Sequence, residues 1–231
     1  MNAPDWMFLG RGAFWSAATI AIYFGARWLN RRKPRWWTSP MLVTWFACGG
    51  LLALLHTAYR DYLSGTGWMI TLLGPATVAF AVPIYDKRVM IRRHWPLLVV
   101  GVLCGSAIAI ASSWLLASVF DLPPEVRRSL LPRSVSTPFA MAAAAKIGGL
   151  PELTASFTAV TGLFGAALGD ILLVRLPLRS SFSRGALLGM GAHGAGVARA
   201  HELGQEEGAV AGLIMIFAGL FNVLLASIVG L

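Results

Sequence analysis

Six apolar runs dominate the chain, at residues 13–26, 40–59, 68–85, 95–120, 153–174 and 208–231. An α-helix rises about 1.5 Å per residue, so roughly 20 residues cross a hydrocarbon core of about 30 Å. Several of the runs reach that length and must be buried in a bilayer or in one another. Composition decides between the two. Of 231 residues, 57% are apolar and 13% charged, with a mean hydropathy of +0.68, against roughly 25% charged in a soluble domain. The expected fold is all-α: one polytopic helical membrane domain over residues 1–231, with about six full spans, broken or re-entrant helices, and a transporter-like inverted repeat. The first span, 13–29, is read as peripheral to that domain.

The net charge of +9 is placed for topology and not for nucleic acid, which is not expected as a partner. Arg31, Arg32, Lys33 and Arg35 fill one loop and Lys87, Arg88, Arg92 and Arg93 another. Basic residues beside spans mark the cytoplasmic side. Loops 31–35 and 86–94 are therefore read as cytoplasmic, and loops 60–67 and 121–133 as external. The opening MNAPDWMFLG has no basic region before its apolar run, so no removable signal peptide is expected. The expected location is the cell (inner) membrane, multi-pass. Cys48 and Cys104 offer no disulfide framework and no metal spacing. With no nucleophile elbow, HExxH or phosphate loop either, neither an enzyme nor a cofactor is expected.

The stretch SVSTPFAMAAAAKIGGLP, residues 134–151, interrupts the pattern. Thr137 suits an N-cap and Pro138 the first helical position. Gly148 and Gly149 stop the helix, and Pro151 forbids its continuation. About ten residues between them span roughly 15 Å, half a bilayer. A half-helix of this kind re-enters, buried against protein so that its open backbone ends avoid lipid. Re-entry also returns Arg175, Arg179 and Arg184 to the cytoplasm. In TLLGPATVAFAVPIY, residues 71–85, Gly74-Pro75 and Pro83 are expected to free backbone carbonyls. PATVAFAV set against PFAMAAAA is weakly repetitive, and matched interruptions in two halves point to a transporter site.

A third interruption, GMGAHGAGVARAHELGQEEGA, spans 189–209. Its glycines weaken the helix by roughly 1 kcal/mol each relative to alanine, which places His193 where the chain is unwound or tightly packed. Beyond Gly196 the pattern is good helix, with Arg199 facing Glu202 at i+3. Arg199 is expected to meet a substrate carboxylate while Glu202 holds its fork. The plain alternative is a solvated helix end, favoured for His201, Glu206 and Glu207. Asp170 is expected to pair with Arg175, Asn222 to bond to a neighbouring helix, and Lys146 to snorkel.

LLGPATVAFAVPIY, LPRSVSTPFAMAAAAKIGGLPELTASFTAVTGLFGAALG, SRGALLGMGAHGAGVARAHELGQEEGA and AGLIMIFAGLFNVLLASI together resemble the LrgB/CidB family from about residue 40 to the C-terminus. Gly74, Pro75, Thr77, Ser134, Thr137, Pro138, His193, Gly196, Arg199 and Glu202 fall on the family pattern. Gly194, Val197, Asp170 and His201 depart from it. The resemblance implies one of two roles. The first is holin/antiholin-like control of murein hydrolase export and lysis beside a small LrgA-type partner. The second is transport of glycolate, glycerate, pyruvate or similar acids, as in plastid relatives. Polar half-helix starts suit anions, so the leading expectation is a secondary carrier or facilitator of small monocarboxylates. Ser134, Ser136, Thr137 and Pro138 would face His193, Gly196, Arg199 and Glu202, with Gly74 to Thr77 completing the wall. The expected partners are that solute, the bilayer and the LrgA-type protein, with a homodimer left open; stabilising that protein as a scaffold is the remote third role.

Overall fold

The computed structural model describes the backbone of residues 5–33, 38–79 and 81–230, and side chains within these from residue 12 onward except 73, 76 and 77. All regular elements among them are helices. The chain divides into two compact units, Met1–Pro75 and Ala76–Leu231.

In the first unit, α1 (Asp5–Arg32), α2 (Pro40–Leu54) and α3 (Tyr59–Thr71) pack together. Ser16 Oγ donates to the Gly65 carbonyl at 2.5 Å, and the Trp68 indole donates to Ser16 Oγ at 2.8 Å. Gly12 and Gly65 bring the α1 and α3 backbones into contact. The stretch 60–67, expected as an external loop, is therefore helix, and Gly65 serves close packing and not a turn. The run 68–85 is divided among α3, α4 (Leu73–Ala79) and α5 (Ala81–Asp86). The interruptions expected around Gly74-Pro75 and Pro83 appear as the α3–α4 and α4–α5 boundaries, each proline standing in the first turn of the helix that follows.

In the second unit, α6 (Arg88–Val119), α9 (Pro151–Arg175) and α11 (Gln205–Val229) are long and apolar enough to cross a membrane. α6 bends at His94 (φ −117°, ψ 18°), two residues before Pro96, the proline denying the preceding turn its bond. α11 carries the core: Val210, Ile214 and Ala218 pack on Leu98 and Val102 of α6 and on Val135, Phe139 and Ala140. Asn222 donates to Ser106 Oγ on α6 at 3.0 Å, the interhelical bond expected of it.

Between these long helices lie two short segments that turn back on themselves. The first runs through α7 (Pro124–Leu130), an irregular stretch, and α8 (Thr137–Lys146). α8 has the expected half-length, although its N-cap is Ser136 and not Thr137. It ends at Gly148, φ +72°, with the Gly149 N–H bonded to the Ala144 carbonyl at 2.8 Å. That is the six-to-one bond of a glycine-closed helix end. The chain then returns to its starting level: Leu150 N–H donates to Ser129 Oγ at 2.7 Å, and Thr154 Oγ1 to the Ser129 carbonyl at 2.9 Å. Residues 130–149 thus enter and leave at one end of α9. Ser129, expected in an external loop, is fully buried because it makes this closure.

The second is α10 (Ser181–Leu203), broken at His193 (φ 36°, ψ −118°). A straight helix would hold residues eight apart at about 12 Å. Instead a β-carbon on Gly196 would fall on the Leu188 carbonyl, so the two halves fold against each other. His193 is the tip of a reversal.

Candidate functional site

The two reversals enter from opposite ends. At one end of α11, Gly230 lies against the Lys146 carbonyl, closing the α8 segment. At the other, Glu207 accepts two bonds from Arg184 of α10, from Nη2 at 2.5 Å and Nε at 3.2 Å. α9, with 25 residues and a length of about 37 Å, serves as the ruler between them. Its Gly165 touches the Gly191 carbonyl, and a β-carbon on Gly162 would stand 2.8 Å from His193 Cε1. The His193 tip therefore reaches the middle of α9. On the adjacent residue, Thr161 Oγ1 accepts from Arg133 Nη1 at 3.4 Å. The tip of the α8 segment reaches the same level from the other side, within Coulombic range of the imidazole.

Where the tips meet, polar atoms are buried without hydrogen-bond partners among the described residues: Ser134 Oγ, Ser136 Oγ, Thr158 Oγ1 and His193 Nε2. A fifth such atom, Arg127 Nε, belongs to α7. The four residues are 8%, 7%, 0% and 5% exposed. Their neighbours behave differently. Thr154 and Thr161 donate to carbonyls one turn back on α9, at 3.0 and 2.8 Å. Ser136 stands at the N-cap of α8 yet makes no side-chain cap bond. Each unmatched buried polar group costs about 1–3 kcal/mol. A positive φ at His193, which has no glycine's freedom, adds strain of order 1–3 kcal/mol. Cost of this kind concentrated at one level of an apolar bundle makes this level the candidate site.

Of the residues expected at the site, the structure brings Ser134, Ser136 and His193 to this level. Thr137 and Pro138 open α8 beside them, and Gly196 allows the fold-back. Arg199 and Glu202 lie on the returning half of α10. Arg199 Nε bonds Asp170 at 2.7 Å and Nη1 bonds Glu202 at 2.6 Å. The i+3 contact is as expected; Asp170 takes Arg199 in place of Arg175, because the fold-back of α10 carries Arg199 past the late turns of α9. Glu207, expected on a solvated end, is buried and ion-paired. Gly74 and Pro75 belong to the first unit and are exposed, while the Thr77 side chain lies outside the described residues. Sequence reasoning missed Arg133 and Thr158. LPRSVS and ELTASFTAV carry no local sign that a cation and a threonine twenty-five positions apart share a level.

A family model, the LrgB-like family, matches residues 19–230. A Bacillus subtilis (strain 168) protein, YwbG, is 39% identical over 204 residues, 88% of this chain and 91% of the relative. The antiholin-like protein LrgB of the same organism is 30% identical over 186 residues, 80% of each chain. A Haemophilus influenzae protein is 28% identical over 215 residues, 91% of this chain and 93% of the relative. No solved structure matches.

Proposed function

The chain belongs to the LrgB-like family, and from that premise we propose that it carries small monocarboxylates of the glycolate, glycerate and pyruvate class across the cell membrane. One observation supports this above the rest: four unpartnered buried polar groups where two opposed reversals meet at the middle of α9. Hydroxyls and an imidazole can surround a carboxylate and its neighbouring hydroxyl or oxo group. Access from either end would require only that one reversal loosen at its mouth, the geometry of alternating access. Binding, and not catalysis, is the chemistry of such a site.

The reading includes six full spans and an inverted repeat relating 71–85 to 134–149. Sidedness tests it. Single cysteines at exposed Glu125 and Ser180, in a background lacking Cys48 and Cys104, should label from opposite faces with an impermeant reagent. Labelling from one face sinks the six-span topology.

Transport is tested by uptake of labelled pyruvate and glycolate into liposomes holding the purified protein, with and without an LrgA-type partner. Saturable uptake is expected. The name of the antiholin-like relative favours a second reading, a regulator of murein hydrolase export and lysis acting with that partner. Leakage indifferent to the solute would select it and end the carrier reading.

A further inference from the structure

Resting on the carrier reading, we infer that Arg133 is the residue that holds the substrate's carboxylate and restricts the site to singly charged anions. Arg199, the cation nearest to hand in the sequence motif, is paired with Asp170 and Glu202 and stands 39% exposed at the side chain. Arg184 is paired with Glu207. Arg133 differs from both. Its Nε donates to Ser113 Oγ on α6 at 3.0 Å and its Nη1 to Thr161 Oγ1 on α9 at 3.4 Å, and it has no carboxylate partner among the described residues. Those hydroxyls donate their own protons to Ala109 and Phe157 carbonyls, so they act toward the guanidinium purely as neutral acceptors. They aim Arg133 without discharging it.

A guanidinium has five N–H donors in a planar fork. The Nη2 amino group and the second Nη1 hydrogen remain for a ligand, the side of the fork that engages a carboxylate bidentately. A positive charge at membrane depth requires a counter-charge or a cavity, and the polar atoms closest along the chain are the unpartnered Ser134 and Ser136 hydroxyls. His193 and Thr158, also unpartnered, reach the level of Thr161 from α10 and α9. One cation among neutral hydrogen-bonding groups balances one carboxylate. A dicarboxylate would bring a second charge with nothing to meet it.

The experiment compares parent protein, Arg133→Gln, Arg133→Lys and Arg199→Gln in liposomes, reading KM for labelled pyruvate and for its uncharged amide. Arg133→Gln should raise the pyruvate KM about 10- to 100-fold, the value of a charge-assisted bond, with the amide KM unchanged. Arg133→Lys should recover part of the loss, and Arg199→Gln should leave the pyruvate KM within about threefold of the parent, as expected for an exposed pair. A pyruvate KM unmoved by Arg133→Gln, equal losses for pyruvate and amide, or a loss at Arg199 instead would overturn the inference. Should Arg133→Gln fail to fold, the parent alone decides the charge rule: lactate should inhibit pyruvate uptake while equimolar malonate does not, and equal inhibition refutes it. A parent that takes up no monocarboxylate removes the carrier reading itself, and this inference with it.

Discussion

The α8 and α10 segments have the same shape and opposite construction. Each enters the second unit, turns at the level of mid-α9 and leaves by the end it entered. The α8 reversal is tied at its mouth by neutral bonds from Leu150 and Thr154 to Ser129, and carries Arg133 near its tip. The α10 reversal is tied at its mouth by ion pairs, Arg184 with Glu207 and Arg199 with Asp170 and Glu202, and its tip is the strained His193. At the α10 mouth the arginines have carboxylates of neighbouring turns and helix ends within reach. A charge at a tip meets only the middles of apolar helices, so its partners are hydroxyls. The comparison teaches that the motif richest in ionisable groups is largely architecture. In the α8 segment Arg133, near the tip, has hydroxyl partners and no carboxylate among the described residues.

The severest way to break this picture is to push the two tips apart. Gly165→Val places side-chain atoms on the Gly191 carbonyl, an overlap of backbone that exceeds the usual ~1–3 kcal/mol of core overpacking. Loss of monodisperse protein on size-exclusion chromatography is expected. A variant that purifies and melts like the parent would mean that α10 does not rest on α9 there.

A gentler test grades the two ion pairs within the α10 mouth. Glu207 is 7% exposed at its side chain and Arg184 35%, so Glu207→Gln should lower the unfolding temperature more than any change at the better exposed Arg199 cluster. Asp170 and Arg199 are 46% and 39% exposed, and Asp170→Asn should cost less than about 1 kcal/mol. Thermal unfolding in detergent reads both. The reverse ranking would show that the Arg199 cluster, and not the Arg184 pair, closes the reversal.

Much of the α8 segment was legible beforehand. Pro138 and the Gly148-Gly149-Pro151 sequence bounded a half-helix to within a residue of Thr137–Lys146, because caps and stops act over three or four neighbouring positions. The glycines around His193 likewise marked a place either unwound or tightly packed, and the structure breaks the helix there. The spacing of apolar runs misled where a polar stretch continues a helix. Residues 60–67, between two such runs, were read as a loop, yet α3 runs through them, with Gly65 in contact with α1. Asp170 was matched to the nearest arginine along its own helix, and the chain supplied one twenty-nine positions away.

The sequence alone determined that this chain is helical and apolar, where α8 stops, and that the chain around His193 is unwound or tightly packed. Propensity, capping and the steric penalty of positive φ are properties of a residue and its immediate neighbours. Which arginine is neutralised was decided only by tertiary structure. Pairing and desolvation depend on which atoms from distant turns come within about 3 Å, and the fold-back of α10 brings carboxylates to Arg199 while the rise of the α8 segment takes Arg133 to a level where α6 and α9 offer only hydroxyls.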